Sequence, residues 1–265
     1  MYNSLQLIKR YLHYRFSASS GKGHGIHSPF VFDLITNVLQ DKKIYDCYHE
    51  IETRRDILLH DQQVIVVTDF GAVSALIKSN KRKVKDMAAS SLKSKKYAQL
   101  LFRVVRHYCP ETILELGTSF GITTAYLAFG NLNAKIITCE GSPAIAKLAR
   151  QGFEQLHLQN IELVEGDFEQ TLPAVLSGLK SVGLAFVDGN HRKQPTLRYF
   201  AQLAGLSTPL TILIFDDIHW SLEMEEAWQE IKLDPRVTLT VDLFYFGIVF
   251  FNPGIKIKQD FIIRF

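Results

Sequence analysis

The chain has 265 residues, of which 47% are hydrophobic and 22% are charged, and this composition is typical of one large α/β domain or one domain with an appended segment. A net charge of +3 is too small to indicate a nucleic-acid partner. No apolar run reaches the ~20 residues of a membrane-spanning helix, and the first residues lack a signal peptide's apolar core. The three cysteines do not have the CxxC spacing of metal or redox sites. We therefore expect a soluble, cytoplasmic protein with reduced thiols.

Residues 1–92 have an irregular pattern that we interpret as an N-terminal helical segment. Residues 2–16 predict a basic helix, either packed on the core or touching a membrane surface. Ser28 followed by Pro29 predicts the start of a second helix. The glycines around His24 indicate either a lid that closes over a binding cleft or a flexible linker. The basic run at residues 78–85 is interpreted as a charged connector.

From residue 94 onward, helical and strand patterns alternate. The predicted strands are residues 112–117, 134–140, 161–167, 182–189 and 211–217. The predicted helices are residues 95–108 and those that begin at Phe120, Pro143, Phe168, Gln194 and Ser221. Such alternation indicates a parallel sheet with helices on both faces.

The end of the chain breaks this alternation. Residues 237–253 are rich in β-branched and aromatic side chains, with no room for a helix between two strands, so they predict an antiparallel β-hairpin. The complete pattern predicts an α/β fold with a doubly wound, mostly parallel sheet of seven strands that ends in this hairpin. Residues 93–265 would form the main domain, and residues 1–92 would be an N-terminal helical extension.

Every predicted strand of the alternating region is associated with an acid at its carboxyl end. These acids are Glu115, Glu140, Asp167, Asp188, Asp216 and Asp217. In open α/β sheets, ligands bind beyond the carboxyl ends of the strands, so the acids predict a binding site at this edge. The alternative is that they cap the following helices, and it applies best to Asp167.

The segment from Gly117 to Gly121 narrows the ligand class. A dinucleotide fingerprint needs three glycines, and here Ser119 and Ile122 occupy two of those positions. An acid at residue 115 would repel a pyrophosphate but suits a cationic group. Glu140 lies 19 positions after Gly121, where a carboxylate accepts hydrogen bonds from ribose hydroxyls. A ligand with a ribose and a positive charge but no phosphate fits S-adenosylmethionine.

The ordered motifs ILELGTSFG, IITCEGSP, LVEGDF, LAFVDGNH and ILIFDDIHW resemble those of the class I S-adenosylmethionine-dependent methyltransferases. Within that class they are most similar to the catechol- and caffeoyl-CoA-type O-methyltransferases and their small bacterial relatives. The resemblance covers roughly residues 94–252. It implies a Rossmann-like methyltransferase fold whose sheet ends in a hairpin, as the pattern above predicts.

The resemblance also implies roles for individual residues. Glu115 and the turn would hold the methionine end of the cofactor, Glu140 would bind the ribose, and Asp167 and Phe168 would face the adenine. The implied cofactor-binding residues are Glu115, Gly117, Thr118, Ser119, Gly121, Glu140, Gly141, Asp167, Phe168 and Asp188. Ser119 stands where the commoner form of the motif has a glycine.

Two routes are open for removing the proton of the acceptor. In the catechol-type enzymes a divalent ion does this, and the matching positions here are Asp188, Asp216 and Asp217. This all-oxygen set suits Mg²⁺ or Ca²⁺. Asp217 replaces the family's Asn, and the Lys expected near the first acid is missing. In a metal-free site, His191 or His219 would be the general base, because histidine ordinarily titrates near neutral pH; either could equally be a solvated or helix-capping residue.

We expect transfer of a methyl group to an oxygen of a small molecule, with Asp188, His191 and His219 as candidate catalytic residues. A second hypothesis is a methyltransferase-like binding or scaffolding module without turnover. A third, a nicotinamide oxidoreductase, is disfavoured by the failed fingerprint. No nucleic-acid partner is expected, because the motifs of enzymes that methylate bases are missing. The sequence leaves open whether the N-terminal segment is a lid or a dimer contact, and whether the protein is a homodimer.

Overall fold

The computed structural model describes residues 1–19, 21, 28–67 and 81–265. The helices are α1 (Ser4–Ser17), α2 (Pro29–Leu34), α3 (Cys47–His60), α4 (Val84–Ser91), α5 (Lys95–Tyr108), α6 (Ile122–Gly130), α7 (Pro143–Gln155), α8 (Phe168–Ser177), α9 (Lys193–Gly205) and α10 (Leu222–Leu233). The strands are β1 (Val64–Val66), β2 (Lys81–Lys83), β3 (Thr112–Leu116), β4 (Lys135–Glu140), β5 (Ile161–Glu165), β6 (Leu184–Val187), β7 (Ile212–Asp216), β8 (Leu239–Asp242), β9 (Phe246–Phe250) and β10 (Gln259–Ile262). Among the described residues, no helix is long and apolar enough to cross a membrane.

The chain divides into two compact units. Unit 1 comprises Met1–Asp41 and Leu176–Phe265, and unit 2 comprises Lys42–Val175. These packing boundaries do not test the assignment of residues 1–92 to a separate functional segment, which stays a prediction.

Unit 2 contains the parallel strands β3, β4 and β5 in that spatial order. Strand β3 is buried over its last four residues because its side chains are packed on both faces. Helix α5 has strong apolar periodicity and buries Leu100, Leu101 and Val104. It ends at Tyr108, and Cys109, the residue that follows, adopts the left-handed conformation that terminates helices. The register aligns Leu116 with Cys139, which brings the ends of β3 and β4 side by side.

Unit 1 contains β6 and β7, which are parallel, and β9, which is antiparallel to β7. Strands β8 and β9 are antiparallel and form the predicted hairpin. Strand β10 then pairs in parallel with β8. Because Asp216 aligns with Phe246 and Asp242 aligns with Gly247, the carboxyl ends of β7 and β8 meet at the same edge.

The predicted fold class is confirmed: helices flank a mostly parallel sheet that ends in an antiparallel hairpin. The pattern predicted seven strands, and the two units contribute eight among the described residues, because β10 was not recognised. Residues 78–80 of the predicted connector lie outside the described residues, and the rest of that prediction was wrong. Lys81–Lys83 form β2, antiparallel to β1, and α4 begins at the next residue. The proposed lid around His24 lies outside the described residues.

Candidate active site

The turn between β3 and α6 has a backbone that most side chains disfavour. Gly117, Ser119 and Gly121 all have positive φ, of 107°, 48° and 78°. A Cβ atom at Gly121 would lie 2.6 Å from Cε1 of Phe153, so both the backbone and the packing require glycine there. The backbone N–H groups of Gly117 and Thr118 donate to the carbonyl of Cys139, at 3.0 and 3.1 Å. These bonds hold residues 117–121, called here the glycine turn, against the end of β4.

Glu115 is completely buried next to this turn. Its Oε2 accepts hydrogen bonds from the hydroxyls of Thr124 and Thr138, the second at 2.6 Å. Thr138 Oγ1 also lies 2.6 Å from Thr118 Oγ1. A buried carboxylate must be stabilised by such donors, so Glu115 and three threonines form one polar network. The network connects the turn to the buried end of β3 and to the side chain of Thr138 on β4.

Glu140 ends β4, and two backbone donors orient its partly exposed carboxylate. Ser119 N donates to Oε2 and Ser142 N donates to Oε1, both at 2.9 Å. The first bond joins Glu140 directly to the glycine turn, and the second joins it to the start of α7. A carboxylate has about four acceptor sites, so this orientation suits it for receiving further donors such as a pair of vicinal hydroxyls.

Asp167 and Phe168 follow β5, the next strand in the sheet. Asp167 Oδ1 accepts from the N–H of Glu169 at 3.1 Å, which is a helix-capping contact at the start of α8. Gly166, with φ of 137°, precedes the pair, and its N–H donates to the Glu140 carbonyl at 2.9 Å. The ends of β3, β4 and β5 therefore bring together the predicted cofactor residues of unit 2.

In unit 1 a second cluster contains Asp188, His191 and Asp216. Each offers one ligand atom, and the three atoms lie within 4.8 Å of one another. His191 Nε2 is 3.6 Å from Asp188 Oδ1. Asp216 is buried, whereas the other two are partly exposed. The donor set fits a divalent cation, but its imidazole makes it a mixed oxygen and nitrogen set.

Asp217, predicted as the third metal ligand, is not part of this cluster; His191 takes its place. Asp217 has a φ of 54° and follows Asp216, the buried last residue of β7. It lines a cavity of about 250 Å³ together with Leu7, Ile8, Tyr11, Leu12, His219, Trp220, Phe244 and Tyr245.

His219 is held between two carboxylates, which does not suit a general base. Its Nε2 is 2.8 Å from Asp242 Oδ2, and its Nδ1 is 3.1 Å from Glu225 Oε1. Burial lowers the pKa of His219, but the hydrogen bonds and charges of Asp242 and Glu225 outweigh this and raise the pKa above its ordinary value. Both ring nitrogens are engaged by carboxylates, and the protonated ring has no lone pair for a substrate proton. The assignment of His219 as a general base stays a prediction.

Sequence reasoning missed three residues around these sites. Ser91, at the end of α4, has its hydroxyl 3.1 Å from that of Ser119. Gly166 supports the end of β5, as described above, and the EGD spacing could have indicated it. Asp242, the partner of His219, lies 23 positions away from it in the chain. Only knowledge of the hairpin register could have predicted this contact.

Comparison with known proteins gives one family match. Residues 114–218 match the model of the methyltransferase domain family Methyltransf_24. This span contains all the predicted cofactor residues and the cluster of Asp188, His191 and Asp216.

Two curated proteins and one solved structure are informative. The chain is 36% identical over 89 residues to a protein-L-isoaspartate O-methyltransferase of Methanoregula boonei, covering 32% of this chain and 40% of the relative. It is 32% identical over 125 residues to catechol O-methyltransferase B of Danio rerio, covering 45% and 47%. An O-methyltransferase of Bacillus cereus, solved in complex with SAH, superposes with a TM-score of 0.56 at 20% identity, covering 83% of this chain and 97% of that one.

These matches differ in what they establish. The chain spans less than half the length of the two curated relatives. The solved structure is too distant in sequence to show more than the fold. Together with the family match, it confirms the resemblance to the class I methyltransferases.

Proposed function

We propose that the protein is an S-adenosylmethionine-dependent O-methyltransferase of a small molecule, because residues 114–218 match a methyltransferase domain family and the fold is that of a methyltransferase. The observation that carries this proposal is the joint between Glu140 and the glycine turn. Glu140 lies at the end of β4, and Ser119 N and Ser142 N orient its carboxylate. A carboxylate in this position can accept hydrogen bonds from both hydroxyls of a ribose.

The residues of unit 2 are proposed to bind the donor. Glu140 accepts from the ribose hydroxyls, and the methionine end is assigned to the glycine turn. An ionised Glu115 would favour a cationic ligand group next to the turn. Asp167 and Phe168 are assigned to the adenine. When bound, S-adenosylmethionine supplies an already activated methyl group, so the protein's main task is alignment.

The cluster of Asp188, His191 and Asp216 is proposed to activate the acceptor hydroxyl. With a divalent cation, the two carboxylates and the imidazole would be ligands, and the cation would lower the pKa of a bound hydroxyl. An imidazole ligand widens the choice of metal beyond the predicted Mg²⁺. Without a cation, His191 would be the general base, with Asp188 orienting its ring.

The direct test is turnover by the full chain, with S-adenosylmethionine and a panel of catechols, phenols and carboxylates, followed by mass spectrometry. We expect a methylated product whose formation falls at least about 100-fold in His191→Gln. Loss of turnover in EDTA, with recovery on adding a divalent cation, would identify the metal route. Turnover that resists EDTA would identify the histidine route.

Cofactor binding without turnover on any acceptor would favour the scaffolding module instead. The assignment of residues 1–92 as a lid or a dimer contact also belongs to this proposal. Sedimentation equilibrium of the full chain would distinguish a monomer from a homodimer.

A further inference from the structure

Helix α1 is fixed to unit 1 by one side of its surface. Tyr14 Oη donates to the carbonyl of Ile263 at 2.5 Å, and the rings of Tyr11, Tyr14 and Phe244 pack at centroid distances of 5.1 to 5.9 Å. Arg10 Nη1 and Tyr2 Oη both bind the carboxylate of Glu225. These contacts set the rotation of the helix about its axis.

The opposite side of α1 presents an apolar stripe to solvent. Leu5, Ile8, Leu12 and Phe16 are 78%, 56%, 50% and 85% exposed. Spacings of three, four and four residues place the four side chains along one face of a helix. Single exposed apolar residues are ordinary, but an aligned row of large ones indicates an interaction surface.

Charge identifies the kind of surface that this stripe would contact. Residues 4–17 include Lys9, Arg10 and Arg15 and contain no Asp or Glu. At 100° per residue, Lys9 and Arg15 lie on the two flanks of the stripe. Long basic side chains in that position extend towards anionic headgroups while their stems lie on apolar surface. A second copy of the chain would bring two basic helices together, which like charges oppose.

The apolar surface also continues beyond the helix. Ile8 and Leu12 line the cavity of about 250 Å³ that Trp220 and Tyr245 complete, and Tyr245 is itself exposed. Aromatic rings with a polar tip are favoured at the boundary between lipid and water.

We propose that α1 is an interfacial helix that docks the protein onto an anionic lipid membrane, with Leu5, Ile8, Leu12 and Phe16 entering the headgroup region. Lys9 and Arg15 contact the anionic headgroups. A helix of this kind lies in the plane of the interface and does not span the bilayer. This inference goes beyond the proposed methyl transfer and does not depend on it.

The test is cosedimentation of the full chain with two vesicle types, pure phosphatidylcholine and phosphatidylcholine with phosphatidylglycerol. We expect binding to the anionic vesicles that weakens at high salt. The variant Leu5→Asn/Phe16→Ser should bind about 100-fold more weakly, and Lys9→Gln/Arg15→Gln about 25-fold more weakly. The matched control is Leu210→Asn/Ile257→Ser, which removes two equally exposed apolar side chains elsewhere in unit 1 and should bind like the wild type.

Three results would overturn the proposal. The first is absence of binding to anionic vesicles, and the second is equal loss in the stripe variant and its control. The third is a dimer in solution that Leu5→Asn/Phe16→Ser dissociates while vesicle binding is absent. All the substituted side chains are exposed, so we expect each variant to fold. Circular dichroism would verify that the helix content is unchanged.

Discussion

At the scale of single residues, Glu140 joins the glycine turn to the start of α7 in the proposed cofactor site. Replacing it with Gln keeps the shape but removes the charge that attracts ribose hydroxyls. We expect Glu140→Gln to weaken the binding of S-adenosylhomocysteine (SAH) about 10- to 100-fold, because charge-assisted hydrogen bonds are lost. Isothermal titration calorimetry measures this affinity. Glu162→Gln is the matched control, since Glu162 lies exposed on β5 and pairs with Lys135. Equal affinity of Glu140→Gln and the wild type would refute the ribose assignment.

His219 gives a second prediction, on stability. Because its folded pKa is raised above the ordinary value of 6.5, its contribution is fully present below that pH and is lost as pH rises through the folded value. The free energy of unfolding should therefore fall between pH 6.5 and alkaline pH by more in the wild type than in His219→Gln. Urea unfolding at several pH values measures this. A pH dependence that is unchanged in the variant would show that His219 does not titrate as the geometry implies.

His219 also shows where residue-level sequence reasoning fails. The motif placed it correctly after β7, but its partners come from α10 and the end of β8. Its role depends on those contacts, which only the folded chain provides. Glu115, Glu140 and the glycine turn were predictable because their contacts lie within adjacent βα units.

At the scale of elements, the glycine turn should tolerate no side chain at residue 121. Gly121→Ala combines a left-handed backbone with a Cβ atom 2.6 Å from Phe153, so we expect a loss of about 2 kcal/mol or more in the free energy of unfolding. Gly205→Ala is the control, because no atom lies within 4 Å of its added Cβ and alanine favours helices. It should unfold at the same urea concentration as the wild type or higher. A wild-type midpoint for Gly121→Ala would contradict the strained turn.

Most of the elements could be predicted because each long helix and strand has its own hydrophobic period. The predicted helix at residues 95–108 matches α5, and those beginning at Pro143 and Phe168 match α7 and α8. The short elements β1, β2 and β10 were missed, since three or four residues cannot display a period. Strand β10 forms because it pairs with β8, which is a long-range contact.

At the scale of the whole molecule, the N-terminus and C-terminus meet within unit 1. Tyr14 bonds to Ile263 across 249 positions, and Ser19 N–H donates to the Ile262 carbonyl. No local pattern encodes such a contact, so the sequence left open whether residues 2–16 pack on the core. The structure shows that one face of α1 packs there while another remains exposed.

The central claim is that the carboxyl ends of β3, β4 and β5 bind an adenosyl group with a methionine end. Calorimetric titration of the full chain with SAH tests it most directly, with NADH titrated in parallel. We expect one saturable SAH site per chain and no heat of binding for NADH. Absence of SAH binding at millimolar concentration, or preferential binding of NADH, would contradict it.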